Sequence, residues 1–169
     1  MLGTGTDTGN SIRMPSATSA VVGVFPTRGL VSIAGIAPLD WLLDNTGPIA
    51  RTVIDAAIAL NVMAGADPLD PRTADATGKA QPGPYISYLK ADALKGKRFG
   101  VPAFILRDGG ASTEGIALRP ETRELFMKAI EGMKTAGATV VFDDAILSES
   151  FVQLVHSIST QPYIGQGLD

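Results

Sequence analysis

The stretch that most constrains this chain is Gly5-Thr6-Asp7-Thr8-Gly9-Asn10-Ser11-Ile12-Arg13. It has no helical or strand periodicity, and glycine and threonine dominate it, so residues 1–10 read as a loop or as a strand end running into a loop. Asp7 and Arg13 flank the serine at a spacing that lets them pair across the turn as a charge-assisted clamp. Successive N–H groups in such a turn can converge on one point, which suits an anion or the oxyanion of acyl transfer. The same residues also make a solvated surface loop with an exposed ion pair, and local physics leaves both readings open.

Other loop chemistries fail on spacing. A dinucleotide fold needs G-x-G-x-x-G, but Gly3-Thr4-Gly5 is followed three residues later by Thr8. A P-loop needs G-K-[ST], and the first lysine is Lys79. A G-x-S-x-G elbow would need glycine where Arg13 stands.

Composition narrows the function classes. Apolar residues are 45% of the 169 and charged residues 18%, which fits a folded domain with a real core. Fourteen basic against seventeen acidic residues give a net charge of −3, with no basic excess for nucleic acid. No apolar run is long enough for a membrane span, and no signal-peptide pattern stands at the start, so a cytoplasmic setting and no membrane partner are expected. There is no cysteine and one histidine, so disulfides, thiolates and a metal site are not expected, nor is a cofactor.

Along the chain, Pro15 predicts a short helix after a tight turn over residues 11–13, with Met14 biased away from helical geometry. Residues 21–25 and 30–33 read as short strands. Thr52 is placed to cap a helix from Val53, with Asp55 in its first turn, Val53, Ala56, Ala57, Leu60 and Ala64 on its apolar face, and Gly65 after it. Residues 66–96 form a proline-rich surface excursion anchored by Tyr85, Ile86, Tyr88 and Leu89. Then come a strand at 98–102, a helix at 120–136 with Leu125, Ile130 and Met133 on its apolar face, a buried strand at 139–142, and a helix at 146–158. That helix carries Phe151, Leu154, Val155 and Ile158 on one stripe. The alternation predicts an α/β fold, a mixed β-sheet flanked by helices. The organisation is one domain: 1–65 with the loop and core motifs, 66–96 the excursion, 97–169 a strand-helix-strand-helix continuation.

Three segments, GTDTGNSIRMPSA, GVFPTRGLVS and DNTGPIARTVIDAA, together resemble the amidase signature family in order and spacing. The resemblance covers residues 1–65 strongly and residues 96–145 more weakly, and it implies a partial amidase-signature fold. It implies hydrolysis of a carboxamide C–N bond in a small-molecule amide by a Ser–cis-Ser–Lys triad, with an acyl-enzyme at Ser11. The oxyanion hole maps onto backbone N–H groups of Thr8, Gly9, Asn10 and Ser11, and structural support onto Thr6, Asp7 and Arg13. Asn10 stands where glycine is usual, and its tolerance of left-handed backbone would preserve the turn. Phe25 stands where a basic residue is common, a change expected to affect packing. The family's lysine and bridging serine lie upstream of the nucleophile, and residues 1–10 hold neither. The chain is therefore expected to be a piece of an amidase, nearly inactive alone, or one half that a separate N-terminal amidase segment complements, or a truncated, degenerate fragment acting at most as a binding or structural piece. The resemblance leaves open whether the parent enzyme is a hydrolase or part of an ammonia-transferring amidotransferase.

Other candidates are bland. His156 reads as a surface or satisfied helical residue, Asp143-Asp144 as a solvated strand end, and Asp67, Asp70, Arg72 and Asp75 as a charged loop without calcium-loop spacing. Trp41 suits either a wall of the acyl pocket or ordinary core packing.

Overall fold

The computed structural model describes residues 1–106, 118–143 and 145–158. It is a mixed α/β structure in two compact units, divided between Leu89 and Lys90. Asp144 and residues 159–169 lie outside the described part, as does the side chain of His156.

The first unit holds a three-stranded antiparallel sheet. β1 (Leu2–Thr6) and β2 (Val22–Gly23) flank the central β3 (Thr46–Ala50). Leu2 pairs with Ala50, Thr6 with Thr46, and Val22 with Ala50. β1 is therefore a true strand over residues that read as a loop or strand end. β3 is not expected at all, because Gly47-Pro48 argues against a central strand. It survives because Pro48 still accepts from the Val24 N–H at 3.0 Å. At Gly47 a Cβ would lie 2.1 Å from the Val24 carbonyl oxygen, so the chains meet only because that side chain is absent.

α1 (Arg13–Thr18) starts earlier than Pro15 suggests and includes Met14. The Met14 N–H donates to the Asn10 carbonyl at 2.7 Å, and the loop's other hydrogen bonds outweigh the local bias before proline. α2 (Val53–Met63) is capped as expected: Thr52 Oγ1 accepts from the Asp55 N–H at 3.1 Å. Its buried face is Ala56, Ala57, Ala59 and Leu60. Val53, assigned to that face, is exposed instead, with Ile54, Ile58 and Val62. Leu60 joins Leu30 and Val31 in a small core, with Val24, Met63, Ala64 and Tyr85 packed on it.

Residues 30–33 do not form the expected strand. Val31 makes one isolated bridge to Ala64, and the Ile33 N–H donates to Asp70 rather than to a neighbouring strand. The segment after α2 folds as a 3₁₀ turn (Pro71–Thr73), α3 (Ala76–Lys79) and a second turn (Tyr85–Tyr88). Of its expected anchors, Tyr85 packs on the core, whereas Ile86, Tyr88 and Leu89 are exposed. Buried Asp70, Thr73 and Ala76 hold it instead.

The second unit is a parallel pair, β4 (Arg98–Val101) and β5 (Thr139–Phe142), with Arg98 opposite Thr139. α4 (Pro120–Thr135) precedes β5 with proline in its first turn. Its sequestered positions are Phe126, Met127, Ile130 and Met133, while Leu125 points to solvent. Gly137 ends it with φ +92°, a conformation glycine adopts freely. β5 is half-exposed rather than buried, because among the described residues its sheet has only two strands. α5 (Glu149–Ser157) begins three residues later than expected, where Ser148 Oγ accepts from the Phe151 N–H. Its stripe of Phe151, Leu154, Val155 and Ile158 is exposed. No described helix is long and apolar enough to cross a membrane.

Candidate functional site

β1 delivers the chain into the Asp7–Ile12 turn, and α1 carries it away. Asp7 is fully buried, and its N–H donates to the Asn45 carbonyl at 2.9 Å. Its Oδ2 accepts from the N–H groups of Ile12 (3.0 Å) and Arg13 (3.3 Å) and from Arg13 Nε (3.0 Å), while Oδ1 accepts from Arg13 Nη2 (3.1 Å). A second donation from Nη2 reaches the Gly9 carbonyl. One carboxylate thus closes the turn and caps α1, through the two-pronged contact that suits guanidinium. The Arg13 guanidinium, aided by those N–H groups, holds the Asp7 carboxyl below its ordinary range against the opposing effect of burial. Arg13 also stacks 4.6 Å above the Phe25 ring, so Phe25 acts in packing.

Ile12 is fully buried beside Gly5 and Gly23, where an added Cβ would lie 3.2 and 3.0 Å from its side-chain carbons. With Asp7 and Ile12 pinned, Ser11 between them is turned outward and exposed. It borders a cleft of about 110 Å³, lined also by Thr6, Thr8, Ile33, Ile36, Leu39, Asp44 and Asn45. Thr6, Thr8 and Ser11 are therefore brought to one cavity, while Gly9 and Asn10 lie in the turn beside it. Neither Gly9 nor Asn10 takes the left-handed conformation, so the asparagine's tolerance of it is not called upon. No described residue accepts the Ser11 hydroxyl proton, and the Lys79 ammonium donates to the Arg72 carbonyl.

The opposite wall is a turn that sequence reasoning passes over. Thr8 Oγ1 donates to Asp44 Oδ1 at 2.5 Å, and Asp44 Oδ2 accepts from the Leu39 N–H at 2.8 Å. The Asn45 side chain donates to the Pro26 carbonyl at 2.6 Å and accepts from the Thr46 N–H. Thr46 Oγ1 donates to the Gly5 carbonyl at 2.9 Å. The available signal is Asp44-Asn45 at the head of DNTGPIARTVIDAA, a segment whose plainest local feature is its helix cap.

Arg72 braces this turn from behind. Its Nη1 donates to the carbonyls of Trp41 (3.0 Å) and Asp44 (3.2 Å), and its guanidinium lies 4.9 Å over the Trp41 ring. Asp70 binds Arg72 through both oxygens and accepts from the Ile33 N–H at 2.9 Å. Burial raises the Asp70 carboxyl, but Arg72 and the Ile33 N–H together bring it below its ordinary range. Trp41 borders a neighbouring cavity of about 170 Å³ with Ile33, Ile36 and Pro38.

Comparison with known proteins places the chain in a family. A family model described as Amidase matches residues 1–162. An amidase of Pseudomonas putida is 39% identical over 158 residues, which are 93% of this chain and 31% of that protein. A glutamyl-tRNA(Gln) amidotransferase subunit of Acidobacterium capsulatum is 44% identical over 137 residues, 80% of this chain and 26% of that protein. The crystal structure of native peptide amidase from Stenotrophomonas maltophilia superposes with a TM-score of 0.70 at 36% identity, covering 85% of this chain and 27% of that one. The chain thus spans between a quarter and a third of the length of these relatives. A match over nearly its whole length, with the same fold, establishes that the chain belongs to the amidase family.

Proposed function

We propose that this chain carries the nucleophile of an amidase. Ser11 Oγ attacks the carbonyl carbon of a small-molecule carboxamide. The C–N bond breaks, the amine leaves with a proton, and water then hydrolyses the acyl ester at Ser11. The observation that carries this reading is the clamp that Arg13 closes on the buried Asp7 carboxylate. It leaves Ser11 at the mouth of the cleft, on a turn whose Thr8, Gly9, Asn10 and Ser11 N–H groups supply the oxyanion hole. Thr6 supports the turn from β1.

Serine needs a positioned base, and none contacts Ser11 among the described residues. The base and its serine relay come from an amidase segment that precedes the nucleophile turn. A second reading, a non-catalytic binding or structural piece, is favoured by the exposed row Ile54, Ile58 and Val62 on α2, which a neighbouring polypeptide would cover.

Fluorophosphonate labelling read by intact mass separates these. Slow labelling of the chain alone, and rapid labelling of Ser11 once an N-terminal amidase segment is supplied, supports the proposal. Rapid labelling of the chain alone removes the need for the outside base. An unreactive Ser11 in both mixtures leaves the non-catalytic reading.

A further inference from the structure

Asp44 is an unusual wall for a cleft that handles a developing negative charge. It is buried, and no described cation pairs with its carboxylate; its partners are the Thr8 hydroxyl and the Leu39 N–H. A buried carboxylate is costly unless hydrogen bonds satisfy it, and a charged acceptor makes each of those bonds stronger than a neutral one would. The stronger of the two by distance crosses 36 residues of sequence and ends on Thr8, the first residue of the nucleophile turn. Asp44 is itself held by Arg72 through its own carbonyl and that of Trp41.

We infer that Asp44 is a positioning residue that fixes the Thr8–Ser11 turn through the Thr8 hydroxyl. The inference rests on the reading of that turn as the oxyanion cradle, and it says what orders it. Oxyanion donors work because they are aimed before reaction begins. Asp7 and Arg13 anchor the far end of the turn, at Gly9 and Ile12–Arg13. The Thr8–Asp44 bond anchors the near end.

The test is amide hydrogen exchange over residues 7–14 of the full chain, with thermal melting alongside. Thr8→Val removes the bond and leaves Asp44 with Leu39. Thr8→Ser keeps a hydroxyl. Asp44→Asn has one acceptor oxygen for two donors, and Asp44→Ala has none. The expected result is exchange about tenfold faster over residues 7–14 in Thr8→Val and Asp44→Ala. Asp44→Asn should be intermediate and Thr8→Ser near the parent, with α4 amides unchanged in all four. Unchanged exchange in Thr8→Val overturns the inference, as does an equal rise throughout the chain. Should Asp44→Ala not fold, the Thr8 pair decides alone. Exchange needs no catalysis, so an unreactive Ser11 would sink the amidase reading without touching this result. Where Ser11 does label, Thr8→Val should label more slowly than Thr8→Ser.

Discussion

The first unit of the chain adds to its apolar core a set of buried polar groups that the second, among the described residues, does not have. Among the described residues of the first, Asp7, Asp40, Asp44, Asn45, Thr46, Asp70 and Thr73 are all buried, and several find partners more than 25 residues away. In the second, the buried residues described are Val101, Ile130 and Ala138, and the order comes from one parallel strand pair and the helix before it. Apolar contacts are non-directional and tolerate repacking; a buried carboxylate accepting several bonds is satisfied in one arrangement only. The candidate chemistry sits in the unit that has both, an apolar core and the directional polar bonds. That is the expected place for it, since a reactive turn must be held to a fraction of an ångström.

The sharpest way to break this comparison is Asp7→Ala. It strands the buried Ile12 N–H and frees the half-exposed Arg13 to return to water, and the expected loss is about 3 kcal/mol, read from denaturant midpoints. Trp41, the single tryptophan, lies in the first unit and reports its unfolding by fluorescence. Arg13→Lys should lose the forked contact, and with it the rapid labelling of Ser11 in the mixture with an N-terminal amidase segment, while costing less stability. A loss under about 1 kcal/mol for Asp7→Ala would mean that the clamp is decoration on an otherwise apolar unit.

Ile130→Ala is the matching change in the second unit. Ile130 is 4% exposed, and its truncation should cost about 2.5 kcal/mol through lost burial and the cavity left behind. Exchange over residues 7–14 should stay at the parent rate. A coupled change in both units would erase the distinction between them.

Acid sharpens it further. The Asp7 and Asp70 carboxyls both titrate below their ordinary range in the folded chain. The unfolded chain therefore takes up protons first as pH falls, so the stability these groups confer is complete above the ordinary carboxyl range, near pH 4, and drains away as pH drops through their lowered folded values. Trp41 fluorescence followed from pH 7 downward should show unfolding that begins below about pH 4 and moves to higher pH in Arg13→Ala, because the Asp7 carboxyl loses its main stabilising partner. An acid transition indifferent to Arg13 would contradict that coupling.

What could be read in the sequence follows the same division. α2 and its Thr52 cap, α4 with Pro120, and strands β4 and β5 were legible because apolar period, caps and proline placement are local signals. The Asp7–Arg13 pair was legible because both partners lie in one turn. β3 was hidden because Gly47-Pro48 looks like a turn, and its reason for being a strand is pairing with distant β1 and β2, which the Val24 carbonyl permits only with glycine at 47. Residues 30–33 look like a strand, but a carboxylate 37 residues on takes the Ile33 N–H. Asp70 and Arg72 read as surface charge for the same reason: no window of sequence shows that Asp70 is buried against Arg72 under Trp41. Periodicity reports which residues are apolar and is silent on which polar residues find each other.

The smallest expected effect tests the part of the second unit where periodicity was locally misleading. Leu125 fits the apolar spacing of α4 together with Ile130 and Met133, yet it is 66% exposed, and its neighbour Phe126 takes the sequestered position. A step of one residue turns a helix by about 100°, so a face defined by Ile130 and Met133 admits Phe126 and Met127 and leaves Leu125 at its edge. Leu125→Ala should then change unfolding free energy by less than about 0.5 kcal/mol, since truncating an exposed leucine leaves no cavity and alanine favours the helix. A loss near that of Ile130→Ala, about 2 kcal/mol or more, would show that Leu125 is covered in solution. The apolar face of α4 would then be wider than its packing in this unit accounts for.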